Sequence, residues 1–198
     1  MNEALILYEP AKEVLHISGN MYPVNKRLPK NLFLRQTSCW GWGTWDSRWK
    51  YLETSPKTLM NELESRNKIK SADIDGTNQF IEHLKANIDG ALNTWAILWH
   101  FGVFLRDGLC LHPGKSLVKN IGMDNSGANC NETALFEVKL VQNIRVKKIK
   151  IKASIYIYKY LRQFYSSSSN YGFLFKSKRS IYNLSKRVGS KLIDTFNF

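Results

Sequence analysis

The chain has 198 residues, 43% of them hydrophobic, and a formal net charge of +13, a size and balance that suit one globular domain with a sizeable core plus a tail. The charge is not spread along the chain: residues 139–198 hold fourteen Lys or Arg against a single acid, Asp194, so residues 1–138 balance to zero, which excludes a nucleic-acid interface running along the whole fold. Three cysteines without a Cys-x-x-Cys pair support neither a disulfide framework nor a zinc knuckle and suit a reducing compartment. Residues 1–9 lack a basic start and a long apolar run, against a secretory signal, and no apolar stretch approaches the roughly 18 residues of a membrane span. His16, His83, His100 and His112 make no metal-ligand spacing.

In chain order, residues 1–8 read as a short amphipathic helix and residues 14–17 as a buried strand closed by Ser18 and Gly19. A second strand over 32–35 follows a loop marked by Pro23 and Pro29. Next comes Cys-Trp-Gly-Trp-Gly-Thr-Trp-Asp-Ser-Arg-Trp over 39–49, which holds four of the six tryptophans. Indoles fill cores, but their flat faces also stack on sugars and bases. Gly41 and Gly43 between them permit close backbone approach or positive φ.

Residues 56–70 and 77–88 read as surface helices. Between them lies Asp73-Ile-Asp75, a spacing that can hold a divalent metal against a diphosphate. Such a pair needs to end an apolar strand, and here it follows a polar loop, so the metal reading is rejected. Residues 92–105 are apolar almost all round, which marks a buried helix, with Trp95 and Trp99 one turn apart. Residues 109–113 are extended, 116–122 strand-like, and 123–130 form a loop of small polar residues able to bond a phosphate or sugar hydroxyls, or to make an ordinary turn. In the tail, 146–152 alternates Ile with Lys as a charged edge strand does, and Ser154 can cap a helix carrying Ile157, Leu161, Phe164 and Tyr165. Ile181, Leu184, Val188 and Leu192 mark a basic amphipathic helix that fits an anionic bilayer or the body of the protein.

Four motifs taken together carry a resemblance. They are His16-Ile-Ser-Gly19 with Tyr22-Pro23; Phe33 to Trp45 with Arg48-Trp49; Asn93-Thr-Trp-Ala-Ile97 with Trp99; and Ser116 to Gly127. In this order they resemble the C-terminal half of bacterial family-2-like nucleotide-sugar glycosyltransferases of GT-A type, over roughly residues 1–135. The resemblance implies an α/β fold: 1–138 as the acceptor-side part of a GT-A domain, and 139–198 as a basic, partly helical tail. A nucleotide-binding half ending in an acidic motif for Mg or Mn would precede Met1, so the chain is expected to be a truncated or split product, inactive alone. No cofactor is expected to be retained.

The resemblance also assigns roles. Trp40, Gly41, Trp42, Trp45 and Trp95 would line a sugar pocket, Arg35 and Arg48 bind phosphate or pair with carboxylates, and Asn120, Asp124 and Ser126 bond hydroxyls. Relatives often carry an Asp near the tryptophan where Asn93 and Ala96 stand here; Ser47 replaces the acid before the arginine, and Asn129 a histidine. Asp46 is therefore the carboxylate expected to act as base. The implied partners are a sugar nucleotide and a glycan or lipid-linked acceptor in surface-polysaccharide assembly, with the tail on an anionic membrane at the cytoplasmic face and no specific nucleic acid. A non-catalytic carbohydrate-binding or membrane-docking module is the alternative. A nucleic-acid binder using the tail would reveal itself by steep salt dependence.

Overall fold

A computed structural model describes residues 1–124 and 134–167. These residues form a mixed α/β fold of seven helices and a four-stranded sheet: α1 Asn2–Tyr8, β1 Val14–Ser18, β2 Asn31–Leu34, β3 Trp42–Gly43, α2 Asp46–Trp49, α3 Pro56–Ser65, α4 Ile69–Ala72, α5 Phe80–Ile88, α6 Trp95–Leu105, β4 Leu109–Pro113 and α7 Ile155–Ser167. Strand order is β2-β4-β1-β3. β4 runs parallel to β1, with Ile17 opposite Leu111, and antiparallel to β2, with Phe33 opposite Leu111. β3 adds a short antiparallel edge to the other side of β1.

Alternation along β2 divides its side chains between two layers, as the strand period of two requires. Phe33 joins Ala4 and Tyr8 of α1 with Val14 and Ile17 of β1, whereas Leu32 and Leu34 join Ile157 and Leu161 of α7. In β1 the register slips between Val14 and His16. A bulge of this kind turns two successive side chains toward one partner, and Leu15 and His16 both meet Trp99 of α6. Helices α3 to α6 pack through Leu59, Leu63, Leu84, Phe101 and Phe104. Two of them start on capping residues: Ser55 accepts the Thr58 N–H ahead of Pro56 in α3, and Thr94 accepts the Ala96 N–H in α6.

Residues 116–122, expected as strand-like, pair with no strand; Leu117 N–H instead donates to the Gly19 carbonyl at 2.8 Å. Residues 146–152 keep the alternation expected of them but not the ladder. Ile149 and Ile151 pack beneath the sheet while Lys148, Lys150 and Lys152 are exposed, and the one bridge is Ala153 to Phe33. Side chains hold this stretch instead. Asn31 Nδ2 donates to the Lys147 carbonyl at 2.9 Å, and Ile149 N–H donates to Tyr8 Oη at 3.0 Å. The first part of the basic tail is thus built onto the body of the fold. Ser154 caps α7 as expected, accepting the Ile157 N–H. The helix pattern at 181–192 lies outside the described residues. Among the described residues no helix is long and apolar enough to cross a membrane.

Asp73 and Asp75 lie in the turn from α4 to α5, away from any strand end. Ile74 between them has φ +52° and is fully buried. A left-handed β-branched residue costs about 1–2 kcal/mol, comparable to the 1.5–3 kcal/mol or so from burying its side chain between β2 and α7. Asp73 is buried too, and accepts the Ile81 N–H at 3.3 Å. Burial pushes its carboxyl up to about 7. An acid raised in this way makes the native state the better proton binder, so stability falls as pH rises from about 4 to 7. Asp73→Asn, which keeps the acceptor, is expected to stabilise the fold by about 2 kcal/mol above pH 7 and by almost nothing near pH 4. Urea unfolding at the two pH values checks this.

Candidate functional site

The tryptophans grade from the core to the surface. Trp99 is fully enclosed, and its indole N–H donates to His16 Nδ1 at 2.9 Å. His16 Nε2 in turn lies 3.0 Å from the Ser38 carbonyl. Two such partners fix one neutral tautomer, with the proton on Nε2. Burial then lowers the imidazole to about 3. Trp42 lies flat on this histidine, with ring centroids 4.9 Å apart and planes within 1°. It also meets Trp95, Trp49 and Trp99 at 5.4, 5.7 and 5.9 Å. Trp49 and Trp95 cross at 73° and are 39% and 45% exposed. They form an indole ledge, wet above and seated on a dry base.

Only part of the expected pocket wall is in this ledge. Trp40 instead meets Phe136 edge-on at 5.5 Å. Trp45 donates its N–H to the Leu5 carbonyl and packs toward α1. The guanidinium of Arg48 lies 3.7 Å from the Trp45 ring centre and donates to the Glu9 and Ala11 carbonyls. Arg35 is engaged likewise, donating to the Phe104 carbonyl at the end of α6 and to Asp107, with its guanidinium 4.6 Å from the Phe104 ring centre. Arg35 thus pairs with a carboxylate, one of the two roles expected of it, while Arg48 meets backbone carbonyls, and both tie the body together. Asp46 is exposed at the start of α2. It stands three residues before Trp49, the spacing that puts two side chains on one helix face.

Gly41 has φ +54°, and a Cβ there would come within 2.4 Å of Val118. The glycine thus admits the segment after β4 against the Trp-rich stretch, so two of the quoted motifs do adjoin. Asn120 is half-buried and accepts the Gly122 N–H, forming a local turn. Asp124 is exposed, and Ser126 lies outside the described residues.

Composition and spacing did not reveal the polar network beneath. Asn20 Nδ2 donates to Ser38 Oγ at 2.9 Å, Ser116 Oγ lies 3.1 Å from Asn20 Oδ1, and His112 bridges the Asn20 and Gln36 carbonyls at 2.9 and 2.8 Å. These residues pin the end of β1 to the segment that touches Gly41. Nothing in their sequence spacing signals it, because the partners lie up to 96 positions apart. Cys39 is free, and burial pushes its thiol up to about 12, which removes it as a nucleophile. Among the described residues no group of three His, Cys, Asp or Glu could hold a metal ion. No protein-family model, curated protein or solved structure matches the chain.

Proposed function

We propose that the chain is the acceptor-side part of a GT-A-type nucleotide-sugar glycosyltransferase in surface-polysaccharide assembly, and that its indole ledge stacks on a sugar ring of the acceptor. The carrying observation is the ledge itself: Trp49 and Trp95 exposed over Trp42, which His16 and Trp99 hold rigid from below. Sugar faces stack on such surfaces, and a preformed base lowers the ordering cost of binding. Asp46, on the helix face that carries Trp49, supplies a carboxylate one turn from the stacked sugar, where it would take the proton of an acceptor hydroxyl. In this reading the sugar nucleotide and its Mg or Mn belong to the donor side of such a fold, whose residues are not among those described.

One observation favours a second reading, a non-catalytic carbohydrate-binding module: Arg35 and Arg48 are turned inward on backbone carbonyls. Titration with gluco-, galacto- and manno-oligosaccharides, followed by tryptophan fluorescence, tests what the two readings share. Trp95→Ala is expected to weaken binding at least about tenfold, the loss of one stacked ring, with little change in Tm because the residue is half-exposed. Wild-type affinity in that variant would sink both readings. The purified chain alone is expected to give no turnover of a sugar nucleotide; turnover once a donor-side nucleotide-binding half is supplied, abolished in Asp46→Asn, decides for the transferase.

A further inference from the structure

Residues 145–160 present a second surface, independent of the ledge. The extended stretch before α7 turns Ile149 and Ile151 inward and leaves Lys148, Lys150 and Lys152 on its outer side, spaced about 7 Å apart as alternate residues of an extended chain are. Among the described residues none of these lysines pairs with an acid. The surface continues onto α7. Ile157, Leu161 and Tyr165 face the core, so Ile155, Tyr156, Lys159 and Tyr160 fall on the opposite side. Ile155 is 77% and Tyr156 61% exposed. The Tyr156 and Tyr160 hydroxyls bond at 2.9 Å, and the Lys26 ammonium lies 5.6 Å from the Tyr160 ring centre.

We infer that this strip, Lys148, Lys150 and Lys152 leading into Ile155, Tyr156 and Tyr160, docks the protein on an anionic phospholipid bilayer. Unpaired lysines attract acidic headgroups, and a tyrosine pair with wet hydroxyls sits naturally at headgroup depth. The isolated isoleucine supplies the apolar anchor that interfacial helices insert beneath the phosphates. Charge alone would equally suit a nucleic acid, but the rings argue against that partner. Stacking a base needs an open aromatic face, whereas Tyr160 has Lys26 over its ring and meets Tyr156 at 77°. An exposed aliphatic side chain also contributes nothing to a phosphodiester.

Co-sedimentation of the full chain with vesicles tests the inference. Binding is expected to phosphatidylcholine mixed with phosphatidylglycerol and to be absent with phosphatidylcholine alone. Substituting Lys148, Lys150 and Lys152 together by alanine is expected to weaken binding roughly 100-fold, since each lysine near the surface accounts for about a fivefold factor. Ile155→Ser should weaken it about tenfold further and make what remains fully salt-sensitive. All four side chains are exposed, so thermal unfolding should match the wild type and confirm intact variants. Trp95→Ala should bind vesicles normally, which separates this surface from the sugar reading. Equal binding by the triple variant, equal binding to neutral vesicles, or binding to poly(U) RNA in place of vesicles would each overturn the inference.

Discussion

Urea unfolding at pH 5 is expected to give a stability at least about 2 kcal/mol below that at pH 7, and the cause is the buried histidines. His16 and His100 are 0% and 2% exposed, and burial holds them at about 3 and about 4. In the unfolded chain each titrates near 6.5. Below that value the unfolded state takes up protons that the native state refuses, so stability drains away as pH falls toward 4. At pH 5 each histidine costs about 2 kcal/mol, about 4 kcal/mol together. His112 adds to the loss: burial lowers it even though its two carbonyl partners favour the charged ring. Asp73 works in the opposite sense and returns about 2 kcal/mol as it protonates. The Asp73→Asn protein should therefore be the more acid-sensitive of the two. A flat or rising stability between pH 7 and pH 5 would show that these rings take up protons without loss of their packing.

Replacing Trp99 by alanine is expected to lower stability by about 4 kcal/mol, and Tm by about 10 °C for a chain of this length. The residue sits with Leu15 and Val103 where α6 crosses the sheet, and Trp49 and Trp42 rest on it at 5.2 and 5.9 Å. Removing the ring opens a cavity no neighbour fills. It also takes the donor from His16 Nδ1, leaving a buried acceptor unpaired at a further cost of about 1–3 kcal/mol. Trp99→Phe keeps most of the volume and should cost about half as much. The alanine variant should also bind sugar poorly, because Trp42 loses one of its two supports, whereas Trp95→Ala affects binding alone. Differential scanning calorimetry beside the fluorescence titration separates the two effects. A Trp99→Ala protein that melts with the wild type would contradict the packing described.

The sequence is informative where periodicity and burial coincide. Apolar runs, each interrupted by a histidine, mark β1 and α6, and Ser154 ahead of Ile157 and Leu161 marks α7. It misleads where one residue type serves two environments. Arg48 beside Trp45 reads as a phosphate clamp next to a sugar platform, yet its acceptors are carbonyls of Glu9 and Ala11, 39 and 37 positions away. The spacing of Trp40, Trp42 and Trp45 suggests one wall, but the positive φ at Gly41 and the turn into α2 send the three rings to three neighbours. Of the expected site, Trp42 and Trp95 stand together, and Trp49, quoted only as part of a motif, completes the set. Residues 116–122 look like a strand because Leu117, Val118 and Ile121 supply apolar and β-branched side chains, yet Leu117 bonds to the Gly19 carbonyl and Val118 packs against Gly41 as a buttress.

The strand order carries a consequence for biosynthesis. β4 lies between β1 and β2 although about 75 residues separate it from the nearer of them in the chain. Until it has left the ribosome, β1 holds only the two-residue β3 and β2 has no neighbour, so two apolar ribbons must wait with their hydrogen-bonding edges bare. Insertion of a late central strand is slow and leaves the nascent polypeptide open to association with other chains. Ribosome-bound chains that have not yet exposed Leu109 should therefore engage chaperones, and those in which Pro113 has cleared the exit tunnel should release them.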